Sequence, residues 1–485
     1  MTTSVPARDA PSVSVPSFAR TPVGLIAAVV GVYHLVLGAL GRGLYFDESL
    51  MLAIGRHHLD WGSADQPPLT PALAALADAV APGVNGVLRL VPSLATAAAV
   101  VVAALIAREL GGDRRAQTLT ALAQATGVWV TMTGHFVAPY VLEPVQWLVI
   151  VWLLVRWMRL RDDRLLLVLG PVLGLAALTK FQVMLFAVVL VVAVLVAGPR
   201  DLLRRPAFWA AAVIAALIAT PTLVWQALRG WPQLEMGAVV AGESVLFGGP
   251  VPNAVLMVLF AGVAGTVLLV AGVLGTVTDP RLRPYRFLTL AFLLLWIFFA
   301  VTVGRAYYLD GIHGAIAAVG AVWFQHRREA GHRRLSWAAW PGGVLAVLVA
   351  ATTFGLSTAF TAPDIPQRIT DAVAGVYDAL PPEQRERTVV YGESYIYSSY
   401  VDTFGSESGL PQAYGGNRAY GYFAPPPDDH DSVVFLGKDP STLAPTGVVL
   451  RQAADLGDGT RVWVGDGMRR PWSAVWPELR TLQVS

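Results

Sequence analysis

The stretch Gly43-Leu44-Tyr45-Phe46-Asp47-Glu48-Ser49 sets two carboxylates side by side, directly after a long apolar segment. Carboxylates at a bilayer boundary are costly to desolvate and add nothing to packing, so they mark a site rather than a scaffold. Asp47 and Glu48 are read as the chemical centre of an integral membrane enzyme, with acid–base or electrostatic work open to them. The loop behind them carries Arg56, His57, His58, Asp60 and then Asp65-Gln66-Pro67-Pro68-Leu69, whose Pro-Pro step fixes an extended turn. Adjacent histidines on a helix point to different faces, so His57 and His58 read as an interfacial pair rather than a metal site. Further along come His135, Glu143 ahead of Pro144, Lys180, and Arg305 with Tyr307 and Tyr308. Lys180 stands out because it and Lys438 are the only lysines among 35 basic residues.

These residues need a frame, and composition says which kind. Of 485 residues 55% are hydrophobic and only 14% charged, against about 25% charged in soluble proteins. This is membrane-protein composition. A net charge of +2 gives no footprint for nucleic acid. The absence of cysteine excludes disulfides, cysteine-ligated zinc, iron–sulfur clusters and thiol nucleophiles. The preference for arginine, with abundant Ala, Val, Gly and Pro, points to a GC-rich bacterial genome.

About twenty apolar residues cross a bilayer. That rule predicts eleven spans, near 22–41, 87–107, 117–133, 140–157, 165–179, 181–198, 207–226, 252–275, 285–303, 307–324 and 337–359. The run 22–41 lacks a cleavage site and is followed by many spans, so it reads as a retained helix, not a signal peptide. Basic clusters at Arg108/Arg114/Arg115, Arg156–Arg164, Arg200–Arg205, Arg281–Arg286 and Arg327–Arg334 then all fall on the N-terminal side, the cytoplasmic one by the positive-inside rule. The opposite face receives the loop 42–86, the turns at 134–139, Lys180 and 304–306, the loop 227–251, and the C-terminal region. The chemistry is expected outside the cytoplasm, in a bacterial plasma membrane.

Three segments result. Residues 1–20, rich in Ser, Pro and Ala, predict a disordered cytoplasmic tail; 21–360 form the transmembrane domain; 361–485 are polar, with turn signals. Alternating runs at Thr388–Tyr391 and Ser432–Leu436 predict strands, and Thr370–Leu380 has helical spacing. A small extracytoplasmic α/β domain follows. A further interfacial helix is expected over 69–81.

Asp47-Glu48 after the first span, followed by Asp65-x-Pro-Pro-Leu, resembles the polyprenyl-phosphate-sugar-dependent glycosyltransferases of the GT-C fold. The likeness is to the family 39 and 83 group, the bacterial relatives of protein O-mannosyltransferases and aminoarabinose transferases. Further matches come in order: Arg89-Leu90-Val91-Pro92-Ser93, Leu142-Glu143-Pro144, Gly174-Leu175 with Thr179-Lys180-Phe181, Pro221 to Trp225 with Gly230-Trp231-Pro232, and Arg305-Ala306-Tyr307-Tyr308. In the C-terminal region Tyr391-Gly392-Glu393, Gly409-Leu410-Pro411 and Gly416-Asn417 match a tail found in one bacterial branch. Two departures stand out: the position before the Tyr-Tyr pair is often lysine in the family, and Gly421-Tyr422-Phe423 lacks its usual Trp-Gly.

The resemblance implies an inverting transfer of a sugar, mannose being expected, from a polyprenyl-phosphate donor to a hydroxyl acceptor on a protein, glycolipid or polysaccharide. Asp47 matches the family's catalytic aspartate and would be base or electrostatic stabiliser, with Glu48 as its positioning partner. Lys180 and Arg305 would meet the departing phosphate, and Tyr307 and Tyr308 the phosphate or lipid neck. Asp65, Gln66, His135 and Glu143 are the expected substrate contacts. No cofactor is required, and a divalent metal is compatible with the carboxylates. Plainer readings exist: Lys180 as a snorkelling side chain, the tyrosines as belt aromatics, Glu143 as a dipole-complementing cap. The rival function is a polyprenyl-lipid transporter or flippase, which would favour internal repeats; none is visible. A non-catalytic scaffold leaves the one-sided charges without a purpose.

Overall fold

The computed structural model describes residues 15–41, 43–332, 339–360 and 364–483. Most of the expected N-terminal tail (residues 1–14) and the basic residues Arg333 and Arg334 lie outside the described residues. Helices occupy each expected apolar segment, but they differ in length and continuity. Among the described residues six are long and apolar enough to cross a membrane: Arg20–Leu40, Asn85–Glu109, Pro139–Leu160, Pro206–Leu228, Pro280–Val301 and Pro341–Ala359. The pair Pro232–Val245 and Pro250–Leu259, bent by 96°, makes a seventh if taken as one span.

Of the remaining expected spans, the one at 307–324 is a single continuous helix, Asp310–Glu329; the others are short or interrupted, for local reasons. The segment predicted at 252–275 stops at Leu259 and restarts at Gly262, and the one predicted at 117–133 divides into Arg114–Ala125 and Val128–Thr133. The two breaks lock together. Gly262 has φ +75°, a Cβ there would lie 2.2 Å from the Thr126 carbonyl oxygen, and the Val128 N–H donates to the Phe260 carbonyl at 2.8 Å. Backbone groups freed by one break are satisfied by the other, as a low-dielectric interior requires. Helix Asp310–Glu329 is buried on nearly every side over its first thirteen residues and runs through the middle of the bundle. It packs closely on Gly262–Thr278, where a Cβ at Gly320 would fall 2.0 Å from the Leu268 carbonyl oxygen. Small residues let these backbones approach, the usual means of association in lipid. Large apolar residues such as Leu25, Val29, Val32 and Val36 stay exposed along the first helix, the stripe that lipid covers.

On the basic face the clustered arginines serve more than topology. Glu109, wholly buried, receives Arg159 at 2.6 Å and Arg156 at 3.0 Å, tying two helices at their ends.

The loop 42–86 folds into Phe46–His57 and Leu69–Val80, the latter where an interfacial helix was expected, with a short turn Asn85–Leu88 leading into the next span. The C-terminal domain is built on a five-stranded sheet: β1 (Thr388–Gly392), β2 (Ala413–Tyr414), β3 (Ser432–Gly437), β4 (Arg451–Asp455) and β5 (Arg461–Gly465), in the order β2-β1-β3-β5-β4. The first three run parallel, and β5 and β4 are antiparallel additions. All residues of β1 and β3 are buried, as covered central strands should be.

Helix Tyr395–Phe404 of this domain lies directly on Phe46–His57. Thr403 Oγ1 donates to the Ser49 carbonyl at 3.2 Å and Arg56 to the Thr403 carbonyl at 3.0 Å. His58 stacks on Phe423, ring centroids 3.9 Å apart. The histidine therefore serves a domain interface. In the same docking region Asp402 is buried, accepting from the Ala413 N–H and the Tyr420 hydroxyl, each at 2.6 Å. Burial pushes its carboxyl up to about 7. A folded-state value above the unfolded one means that ionisation costs stability. The penalty is absent below the ordinary carboxyl range, grows as pH rises towards 7, and is then constant. Asp402→Asn should therefore raise the unfolding free energy at pH 8 by roughly 1–2 kcal/mol and leave it unchanged near pH 4, as thermal unfolding at the two pH values would record.

Candidate active site

Asp47 and Glu48 begin the helix Phe46–His57, and consecutive residues on a helix point apart. Glu48 turns inward. Its Oε2 accepts from the Tyr45 N–H at 3.0 Å and from Arg89 at 2.6 Å; its Oε1 accepts from Arg89 Nε at 2.8 Å and the Val137 N–H at 3.2 Å. Both members of the Glu48–Arg89 pair are 0% exposed. Arg89 also donates to the Gly43 carbonyl at 2.9 Å. This corrects the expectation for Glu48. With both oxygens engaged and no exposed surface, it holds the helix and the turn before it and presents no free oxygen.

Asp47 turns the other way and keeps an open face. Its Oδ2 accepts from the Tyr140 hydroxyl at 3.2 Å. Burial raises its carboxyl to about 6; the Tyr140 hydrogen bond and Arg418 pull it down, while Asp65 and Glu48 push it up. Asp65 is likewise raised by burial, against the pull of Arg418 and a hydrogen bond from Gln66. Asp47, Asp65 and Gln66 thus share one environment, reached by an arginine of the C-terminal domain.

A second group lies beyond Tyr140. Its ring is 5.2 Å from that of Tyr307, which stacks on Trp129 at 4.5 Å. Lys180 Nζ stands over the rings of Tyr307 (5.3 Å) and Tyr308 (4.6 Å) and bonds Glu143 Oε2 at 2.9 Å. Lys180 and Glu143, expected in separate roles, form one ion pair. Glu143 Oε1 is buried and makes no hydrogen bond. A snorkelling lysine would reach for water; this one is turned inward on a carboxylate and two rings. The Tyr307-Tyr308 segment is anchored by Gln182, which donates to the Tyr308 carbonyl at 2.6 Å, and by Asn253, which donates to the Gly304 carbonyl.

Arg305 forms a third group. It pairs with Glu243, whose other oxygen takes Arg418 Nη2 at 2.7 Å. His135 joins none of these. Its side chain is 1% exposed and its Nδ1 is 3.2 Å from Nδ1 of His34 on the first helix. His135, expected as a substrate contact, is buried against the first helix. Among the described residues no three His, Asp or Glu side chains converge as metal ligands.

Tyr140, Trp129, Glu243 and Arg418 belong to the constellation but were not singled out from the sequence. Arg418 directly follows the matched Gly416-Asn417, and Tyr140 opens the helix that carries Glu143.

The arrangement thus sets a carboxylate at the rim of a helical bundle, with cations above aromatic rings nearby. The sequence model of the dolichyl-phosphate-mannose-protein mannosyltransferase family matches residues 65–225. In the structural comparison, ArnT from Cupriavidus metallidurans superimposes with a TM-score of 0.64 at 17% identity, covering 96% of this chain and 100% of that one. The chain has the GT-C membrane fold. The oligosaccharyltransferase AglB from Archaeoglobus fulgidus shares the fold more distantly, at TM-score 0.52 and 13% identity over 86% of this chain and 70% of that one. No curated protein sequence matches significantly. The stretch of this GT-C-fold chain that matches the family contains Asp65, Gln66, Arg89, Glu143 and Lys180. Asp47, Glu243, Arg305 and Arg418 lie outside it, and only the fold brings them to the same place.

Proposed function

We propose that this protein moves a sugar, mannose, from a polyprenyl-phosphate donor to a hydroxyl acceptor on the extracytoplasmic side of a bacterial plasma membrane, with inversion at the anomeric carbon. One observation carries the reading: the Asp47 carboxylate accepts from the Tyr140 hydroxyl at 3.2 Å, the Tyr140 ring meets the Tyr307 ring over which Lys180 stands, and Arg418 of the C-terminal domain acts on the same carboxylate. Fold and family support the donor class, since the ArnT structure of the same fold was determined with undecaprenyl phosphate bound and the matching family is named for a dolichyl-phosphate-mannose donor.

In the proposed step Asp47 takes the acceptor hydroxyl proton as the oxygen attacks the anomeric carbon. The bond from that carbon to the phosphate oxygen breaks, and the phosphate leaves with the electron pair. Lys180 and Arg305 meet that charge, while Tyr307 and Tyr308 line the lipid neck. Asp65 and Gln66 face the acceptor side. Glu143 holds Lys180 in place, and no step calls for a metal or other cofactor.

Lys180→Gln removes the cation and keeps the hydrogen-bonding reach. Its expected effect is about a tenfold rise in donor KM, the size of one charge-assisted contact, with a smaller fall in kcat. Donor titration in nanodiscs reads this directly. An unchanged KM would remove Lys180 from the phosphate site.

A further inference from the structure

Glu243 has no part in the proposed step, yet its position is unusual. It bridges two guanidinium groups from different parts of the fold: Arg305, at the head of the Tyr307-Tyr308 segment, and Arg418, in the C-terminal domain. The three side chains are 13%, 12% and 18% exposed for Arg305, Arg418 and Glu243, so the cluster is largely dry. Desolvating three charges to stabilise a fold is a poor return. Two arginine forks around one anion are, by contrast, what recognition of a phosphate requires.

The two sides of the cluster differ in how firmly they are held. Arg418 is fixed: its N–H donates to the Thr481 carbonyl at 2.7 Å, its Nε to the Leu482 carbonyl at 3.3 Å, and its guanidinium lies over the Tyr395 ring at 5.0 Å. Its backbone has φ +47°, a left-handed conformation that costs energy outside glycine and collects at functional sites. Glu243 is carried on a strap. It lies between Pro232–Gly242 and the bend at Gly248-Gly249, whose φ angles of +81° and +95° only glycine adopts freely. The helices on either side of that bend make an angle of 96°. Arg418 is thus anchored by its own domain, while Glu243 sits on a segment that turns at two glycines.

We propose that Glu243 is a resident anion standing where the donor's phosphate binds, and that Arg418 is a phosphate-binding residue which the C-terminal domain supplies to the transmembrane site. This rests on the donor reading above. Entry of the lipid phosphate displaces Glu243 from both arginines, swings the strap outward about Gly248-Gly249, and leaves the phosphate between Arg305 and Arg418. Asp47 and Asp65 both lie within the field of Arg418, so the leaving group and the proton acceptor would share one neighbourhood. The C-terminal domain is then part of the donor site as well as a neighbour of it.

The test is binding of undecaprenyl phosphate to the full chain in phosphatidylcholine nanodiscs, with inorganic phosphate as competitor. Removing the resident anion should tighten lipid-phosphate binding about tenfold in Glu243→Gln, and Arg418→Gln should weaken it by a similar factor. In the Arg418→Gln background the gain from Glu243→Gln should shrink to less than about threefold. Glu243→Ser provides the same removal should the glutamine variant melt early. Binding by the wild type with unchanged or weaker binding in folded Glu243 variants would overturn the inference alone. An equal gain for inorganic phosphate with none for the lipid would also overturn it, since the site would then take a free ion. Absence of binding in wild type and variants together would remove the donor reading and this inference with it.

Discussion

Asp47→Asn abolishes transfer, by about 10²–10⁴-fold in kcat, the range expected when a positioned base is lost, while donor affinity stays within about twofold. Asparagine keeps the size of the side chain and an acceptor for the Tyr140 hydroxyl, which is 3.2 Å away in the wild type. It cannot take a proton. The same substitution should make the protein more stable at neutral pH. Burial raises the Asp47 carboxyl to about 6, above its unfolded value, so the folded state holds the proton more tightly. Ionisation therefore costs stability, from nothing below the ordinary carboxyl range to a constant penalty above about pH 6. Activity has the opposite dependence: a base works only when deprotonated, so wild-type kcat/KM should climb through about pH 6 and level off above it. A variant that loses turnover while its melting temperature rises separates a catalytic role from a structural one. Near-wild-type turnover would take Asp47 out of the mechanism.

The second large effect concerns stability. Arg89→Ala leaves the Glu48 carboxylate buried without its partner, at a cost of roughly 3–5 kcal/mol, enough to unfold the loop helix that presents Asp47. Glu48 and Arg89 are both wholly buried and joined at 2.6 Å. Replacing both by leucine should restore a substantial part of that loss, because an apolar pair leaves no orphan charge. Recovery is incomplete, since Glu48 also accepts from the backbone N–H groups of Tyr45 and Val137. Thermal unfolding of the two single variants and the double variant checks this. Failure of the double variant to recover any stability would show that Glu48 does more than pair with Arg89. Turnover per folded molecule in the double variant then tells whether Glu48 acts through helix position.

Much of this was legible from residue types and spacing. Hydropathy located the apolar helices, and the alternating runs located β1 and β3, because both signals are local and periodic. The helix breaks at Thr126-Gly127 and at Phe260-Ala261 were not legible. They depend on one backbone approaching another at Gly262, which no single window contains. Hydropathy placed a span at 307–324 but not its setting: Asp310–Glu329 is encased by protein, where it can carry Asp310 and His313 that lipid would reject.

The site divides along the same line. Asp47 and Lys180 could be picked out because each is a charge at the edge of an apolar run. Partners were another matter. That Glu143 belongs to Lys180, that Glu48 belongs to Arg89, and that His135 packs against His34 are facts of tertiary contact between residues 37, 41 and 101 positions apart. Arg418 lies further still from the residues it serves, 175 positions from Glu243. The motif beside it, Gly416-Asn417, marked a likeness in the C-terminal region and no ligand.

The central claim is that this GT-C protein uses Asp47 to transfer a sugar from a polyprenyl-phosphate donor. The most direct measurement incubates the purified protein in nanodiscs with a panel of short-chain polyprenyl-phosphate sugars, with Asp47→Asn alongside, and follows sugar release and free polyprenyl phosphate by mass spectrometry. The account predicts turnover of the mannose donor, slow hydrolysis when no acceptor is supplied, and loss of both in the variant. A folded protein that binds these lipids and turns over none, or turns them over equally with and without the Asp47 carboxylate, would contradict it and leave lipid transport as the better description.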